Sequence, residues 1–160
     1  MPFPRQQLIL LADDDPVIIS VFERAFAGQD QFVLDIAMTI QMACEKVRNA
    51  YYSILFLDMK FEGHSQAGMK VLEELRQVEI IEQAAGRPFL STLVVIMSNS
   101  ISLNDITQRA HELLVFVFID KPIDFTPEFV RRVVNKLGVP LLPRTLTTSS
   151  RCRGRASMRS

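Results

Sequence analysis

The chain alternates short, unbroken apolar runs with longer stretches whose apolar residues recur at helical spacing. Residues 8–12 (LILLA), 54–57 (ILFL), 93–97 (LVVIM) and 115–119 (VFVFI) are the runs. Runs this short read as strands, the first buried and the one at 54–57 buried on both faces. Residues 32–37 (FVLDIA) alternate more, as an edge strand does. Helical periodicity fills the intervals, over 16–27, 40–50, 68–85, 103–113 and 126–137. Five strands alternating with five helices force crossover connections. The outcome is an α/β fold: a parallel sheet covered by helices on both faces.

Local signals agree with this division. Asp15 stands ready to cap a helix whose first residue is Pro16, and Gly28 stops it. Thr39 is placed to cap the second helix, and Thr126-Pro127 opens the last one, which Gly138 ends. The expected inner stripe of the first helix is Val17, Ile18, Val21, Phe22 and Ala25, and that of the second is Ala43, Val47 and Ala50. Met38, Met42, Met59, Met69 and Met97 read as packing residues.

A chain of 160 residues, 48% apolar and 22% charged, suits one domain with a substantial core. No apolar run approaches the roughly 20 residues that span a bilayer. The start of the chain lacks the small-residue cleavage site of a signal peptide. Cys44 and Cys152 form neither a disulfide framework nor a metal-ligand cluster. These features lead us to expect a cytoplasmic protein. Charge is unevenly spread. Residues 1–138 carry 13 Lys and Arg against 18 Asp and Glu, whereas residues 139–160 carry five Arg and no acid. We therefore divide the chain into a domain over 1–138 and a basic, Ser/Thr-rich tail over 139–160, expected to be disordered. The tail has no Tyr, Phe or Trp for base stacking, and the sequence gives no clear nucleic-acid or membrane signal.

Every strand-like segment but one ends in groups that can do chemistry. The first runs into Asp13-Asp14-Asp15, the third ends at Asp58, the fourth at Ser98, and the fifth at Asp120-Lys121-Pro122. In an open parallel sheet these ends share one edge, where ligands bind. Carboxylates gathered there repel one another by roughly 3 kcal/mol per pair at an effective dielectric near 20. A hard divalent cation relieves that repulsion, and Mg2+ suits oxygen ligands with retained waters. Carboxylate, cation, hydroxyl and ammonium together match the needs of phosphoryl transfer. Asp58 stands alone at the sheet centre and is the candidate nucleophile.

These segments resemble the receiver domain of two-component response regulators, over about residues 7–138. LILLADDDP resembles the first strand and acidic pair, ILFLDMK the phosphoacceptor strand, VVIMSNS the strand ending in the switch hydroxyl, and FIDKPID the Lys-Pro segment. The resemblance is to the chemotaxis-type single-domain receiver. It implies a flavodoxin-like, doubly wound five-stranded sheet in the order 2-1-3-4-5. It implies phosphorylation of Asp58 by a histidine kinase or histidine phosphotransfer protein in a Mg2+-dependent reaction. Asp14, Asp58 and the Lys60 backbone carbonyl would bind the metal directly, and Asp13 through water. Ser98, the Asn99 amide and Lys121 would hold phosphoryl oxygens, with Phe118 as the switch aromatic. The protein would then be a phosphoacceptor rather than an enzyme, catalysing its own phosphorylation and dephosphorylation. It would signal to a downstream protein effector, with no output domain in the chain. A phosphorylation-dependent dimer is compatible with this.

Some positions depart from the family pattern. Where a Pro four residues and a Gly eight residues beyond the phosphoacceptor are usual, this chain has Glu62 and Gln66. The comparable glycine is Gly68, in a loop two residues longer. Asn99 replaces a small residue, and Lys60 lies two beyond Asp58. Both suggest slow dephosphorylation. Two other functional classes remain open on sequence alone. One is a pseudo-receiver that binds a partner without phosphorylation. The other is a Mg2+-dependent aspartyl-phosphate phosphohydrolase, for which Asp15 follows Asp13 at the required spacing but Pro16 follows at once.

Overall fold

A computed structural model describes residues 6–60, 67–87, 91–98, 117–120 and 126–137, with backbone alone at Ser98 and residues 117–120. The elements are β1 (Gln7–Ala12), α1 (Pro16–Phe26), β2 (Phe32–Ala37), α2 (Ile40–Asn49), β3 (Ile54–Asp58), α3 (Ala67–Ala84), β4 (Leu93–Ser98), β5 (Val117–Asp120) and α4 (Pro127–Leu137). The expected helix over 103–113 and the tail over 139–160 lie outside the described residues.

All five strands are parallel, in the order β2-β1-β3-β4-β5. The runs read as buried, β1 and β3, are central strands together with β4; the alternating β2 is one edge, and β5, from the fourth apolar run, is the other. Strand side chains point alternately to the two faces. Ile9, Leu11, Ile54, Phe56, Val95 and Met97 meet α1 and α4 on one side. Leu10, Ala12, Leu55, Leu57, Val94 and Ile96 meet α2 and α3 on the other. Phe22 of α1 packs edge-on against Phe56 of β3, ring centroids 4.8 Å apart, and so locks α1 to the sheet centre.

The caps form as read. Asp15 accepts the Val17 N–H with Pro16 in the first turn. Thr39 accepts the Met42 N–H, and Thr126 the Phe129 N–H. Gly28 takes φ 75°, the left-handed conformation that ends α1. Val17 corrects the expected stripe, because it is exposed, unlike Ile18, Val21, Phe22 and Ala25. At about 100° per residue, Val21, Ala25, Ile18, Phe22 and Phe26 occupy one arc. Val17 falls about 40° outside it, in the first turn. Met38 and Met42 are likewise exposed rather than packed, while Met59, Met69 and Met97 are buried as expected. No helix among the described residues is long and apolar enough to cross a membrane.

The fold fixes the site through register. Ala12 of β1 is level with Leu57 of β3, so residue 13 comes out beside Asp58. Asp58 is level with Met97, and Ser98 with Asp120. Four strand ends therefore open on one edge of the sheet.

Candidate functional site

Asp13 continues the β1 line, its N–H donating to the Ala37 carbonyl at 3.1 Å. Its side chain is buried and accepts the Asp15 N–H through Oδ1 at 2.9 Å. That bond turns the chain toward α1, so the triplet divides. Asp15 serves the helix, Asp13 points inward, and Asp14 remains exposed to solvent.

Asp58 is the last residue of β3 and is buried at 6% exposure. Its Oδ1 accepts the Lys60 N–H at 3.2 Å. The next residue is pinned on both sides: the Met59 N–H donates to the Met97 carbonyl at 3.1 Å, and the Met59 carbonyl accepts the Gly68 N–H at 3.0 Å. The end of β3 is thus stitched to β4 and to the start of α3.

One carboxylate oxygen from each of Asp13, Asp14 and Asp58 lies within 4.8 Å of the others. At that separation and an effective dielectric near 20, the buried Asp13–Asp58 pair repels by roughly 3.5 kcal/mol, and water screens the pairs that exposed Asp14 makes. Three anionic oxygens of this kind, two of them from buried residues, are the donor set a hard divalent cation takes. Mg2+ fits them, with its remaining positions left for water, a backbone carbonyl or a phosphoryl oxygen.

The structure thus brings Asp13, Asp14 and Asp58 together, with the Lys60 backbone in the same turn. Ser98 ends the neighbouring strand one residue past the partner of Asp58. Phe118 is paired with Ile96 in β5. Asn99 and Lys121 lie outside the described residues, each directly following one of the paired residues Ser98 and Asp120.

Two polar clusters away from this edge were not anticipated. Asp35 of β2 accepts the Tyr52 hydroxyl at 2.6 Å and pairs with Lys46 of α2 at 2.9 Å. Burial pushes the Asp35 carboxyl up, but Tyr52 and Lys46 outweigh it and hold it below its ordinary value. The Tyr52 hydroxyl is driven well up, by burial first and then by Asp35. In the second cluster, Arg76 of α3 pairs with Glu79 at 2.6 Å, and Glu79 accepts the Thr92 N–H at 2.7 Å. Arg76 also donates to the Thr92 carbonyl at 3.2 Å, so the pair clamps α3 to the start of β4. The signal for the first cluster was a lone Asp within an apolar strand. The second left none, because Arg and Glu three apart on a helix are ordinary surface residues.

Residues 9–133 match the response regulator receiver domain family. Among solved structures, the chain is similar to the beryllofluoride-activated DrrB receiver domain, at 15% identity and TM-score 0.61, covering 82% of this chain and 96% of that one. It is also similar to a CheY-like receiver domain protein from Methanospirillum hungatei JF-1, at 16% identity and TM-score 0.61, covering 83% and 94%. A third is the Francisella response regulator 1452 receiver domain, at 20% identity and TM-score 0.61, covering 82% and 96%. The parallel sheet with an acidic cluster at its C-terminal edge belongs to the phosphoacceptor class of signalling domains. This chain is a member of the response regulator receiver domain family.

Proposed function

We propose that this receiver domain takes a phosphoryl group onto Asp58 from a phosphohistidine of a histidine kinase or phosphotransfer protein. An Asp58 carboxylate oxygen attacks phosphorus in line, the P–N bond breaks, and the departing imidazole takes up a proton from solvent. Asp14, Asp58 and the Lys60 carbonyl would hold Mg2+, with Asp13 acting through a water. The bound ion would offset charge on the phosphoryl oxygens. The carbonyl of Met59 is already engaged by the Gly68 N–H, which favours Lys60 as the backbone ligand.

In this reading Ser98, the Asn99 amide and Lys121 hold the phosphoryl oxygens. Phe118 turns inward as Ser98 moves, which biases a surface formed by residues 103–137 toward an effector or a second copy. Residues 1–138 act as the switching domain and 139–160 as an extension of it. A donor charged from ATP places the reaction in the cytoplasm.

The observation that carries the proposal is the convergence of Asp13 and Asp14 on buried Asp58. Incubation with acetyl phosphate or beryllofluoride tests it. A Mg2+-dependent adduct that Asp58→Asn abolishes is expected. No adduct on the wild-type chain would point instead to a phosphorylation-independent pseudo-receiver. Sustained turnover of a phosphomonoester would indicate a phosphohydrolase.

A further inference from the structure

The contact between the acceptor strand and the first turn of α3 is closer than any side chain at residue 68 permits. A Cβ placed on Gly68 would meet the Asp58 carbonyl oxygen at 2.6 Å, the Met59 Cα at 3.0 Å and the Leu57 Cγ at 3.2 Å. The two nearest are backbone atoms, which cannot swing aside as a side chain does. Nor can that backbone shift easily. Residue 59 is bonded to Met97 on one side and to Gly68 itself on the other, and Leu57 and Met59 are fully buried. The glycine does not have a positive φ, so its use here is the space it leaves, not its backbone freedom.

We infer that Gly68 is a positioning residue for the phosphoacceptor: by letting α3 close onto residues 57–59, it fixes where the Asp58 carboxylate stands relative to Asp13 and Asp14. The alternative, that Gly68 merely starts a helix, does not account for backbone packing so close that a Cβ here would come within 2.6 Å of the Asp58 carbonyl oxygen. The assignment also decides between two positions that spacing alone leaves ambiguous. Gln66 sits at the family's usual offset from the acceptor, but Gly68 makes the close contact, so the longer loop preserves the contact and not the count. The chain's own geometry carries this inference; its consequence for phosphorylation rests on the function proposed above.

The test compares Gly68→Ala with Val71→Ala, a cavity substitution at a fully buried residue three positions further along the same helix. Mg2+ affinity is measured by calorimetry, the Lys60 amide resonance by NMR, and folding by thermal melts. Loss of a group that orients metal ligands typically weakens binding about 10- to 100-fold. Gly68→Ala is expected to remain folded, shift the Lys60 resonance and lose Mg2+ affinity by at least about tenfold. Val71→Ala is expected to melt earlier yet bind Mg2+ as the wild type does. Unchanged affinity in Gly68→Ala, equal losses in both variants, or a Gly68→Ala chain that does not fold would each overturn the positioning role. Failure of the wild type to accept phosphoryl groups, with the Mg2+ results as expected, would count against the proposed function and leave this inference standing.

Discussion

Asp58→Asn removes one of three converging negative charges while keeping an oxygen that can accept the Lys60 N–H. In the absence of metal it should therefore stabilise the fold. With oxygens within 4.8 Å, the buried Asp13–Asp58 pair repels by roughly 3.5 kcal/mol at an effective dielectric of 20. The exposed Asp14 adds about 1 kcal/mol at most, since water screens it. Polar contacts that favour the carboxylate offset part of this, so a net gain of about 1–3 kcal/mol follows. For a domain of this size that corresponds to a melting temperature raised by roughly 3–9 °C. Scanning calorimetry in EDTA at low ionic strength reads it directly. Mg2+ at ten times its dissociation constant should then add about 1.4 kcal/mol to the wild type. The variant should gain less. The reasoning fails if Asp58→Asn melts below the wild type in EDTA, or if Mg2+ raises both melting points equally.

Further outcomes follow from other parts of the molecule. Glu79→Ala removes the carboxylate paired with Arg76 and the acceptor of the Thr92 N–H in a nearly buried site, and should cost about 2–4 kcal/mol in urea unfolding. Tyr52→Phe removes a hydrogen bond to a half-buried carboxylate, worth about 1 kcal/mol near neutral pH. Asp35 is held below its ordinary value in the fold, so its contribution is present above the unfolded carboxylate pKa and disappears as pH falls through the folded one. Tyr52→Phe should accordingly move the midpoint of acid unfolding to higher pH. Lys60 is exposed two residues past Asp58, and under the proposed function it would hold a phosphoryl oxygen or hinder an attacking water. Lys60→Ala should shorten the lifetime of the phosphorylated chain, followed by loss of radiolabel; an unchanged lifetime of seconds would count against that role.

Much of the architecture was legible because most strands announce their place in the sheet. Three apolar runs without polar interruption became the central strands β1, β3 and β4 and the alternating run became edge strand β2, but the equally apolar fourth run became the other edge, β5. The acidic cluster was legible because register, not distance in sequence, brings Asp13 and Asp58 together once the strands are parallel. What periodicity could not show lies at element ends. Val17, Met38 and Met42 carry apolar side chains that sit in first turns or just outside them and stay exposed. Tertiary pairings were also hidden. Nothing in the local sequence couples Asp35 to Tyr52, 17 residues away, or Arg76 to Thr92, 16 residues away. The same holds for Gly68, whose role depends on which strand its helix crosses.

The most direct test of the central claim is chemical mapping of the phosphorylated residue. Borohydride reduces an acyl phosphate to the alcohol, so an Asp that carried the phosphoryl group becomes homoserine and can be located by peptide mass spectrometry. After phosphorylation in Mg2+, the account expects homoserine at residue 58 alone, and none when EDTA replaces the metal. Homoserine at residue 13 or 14, or a phosphorylated chain with residue 58 intact, would contradict it.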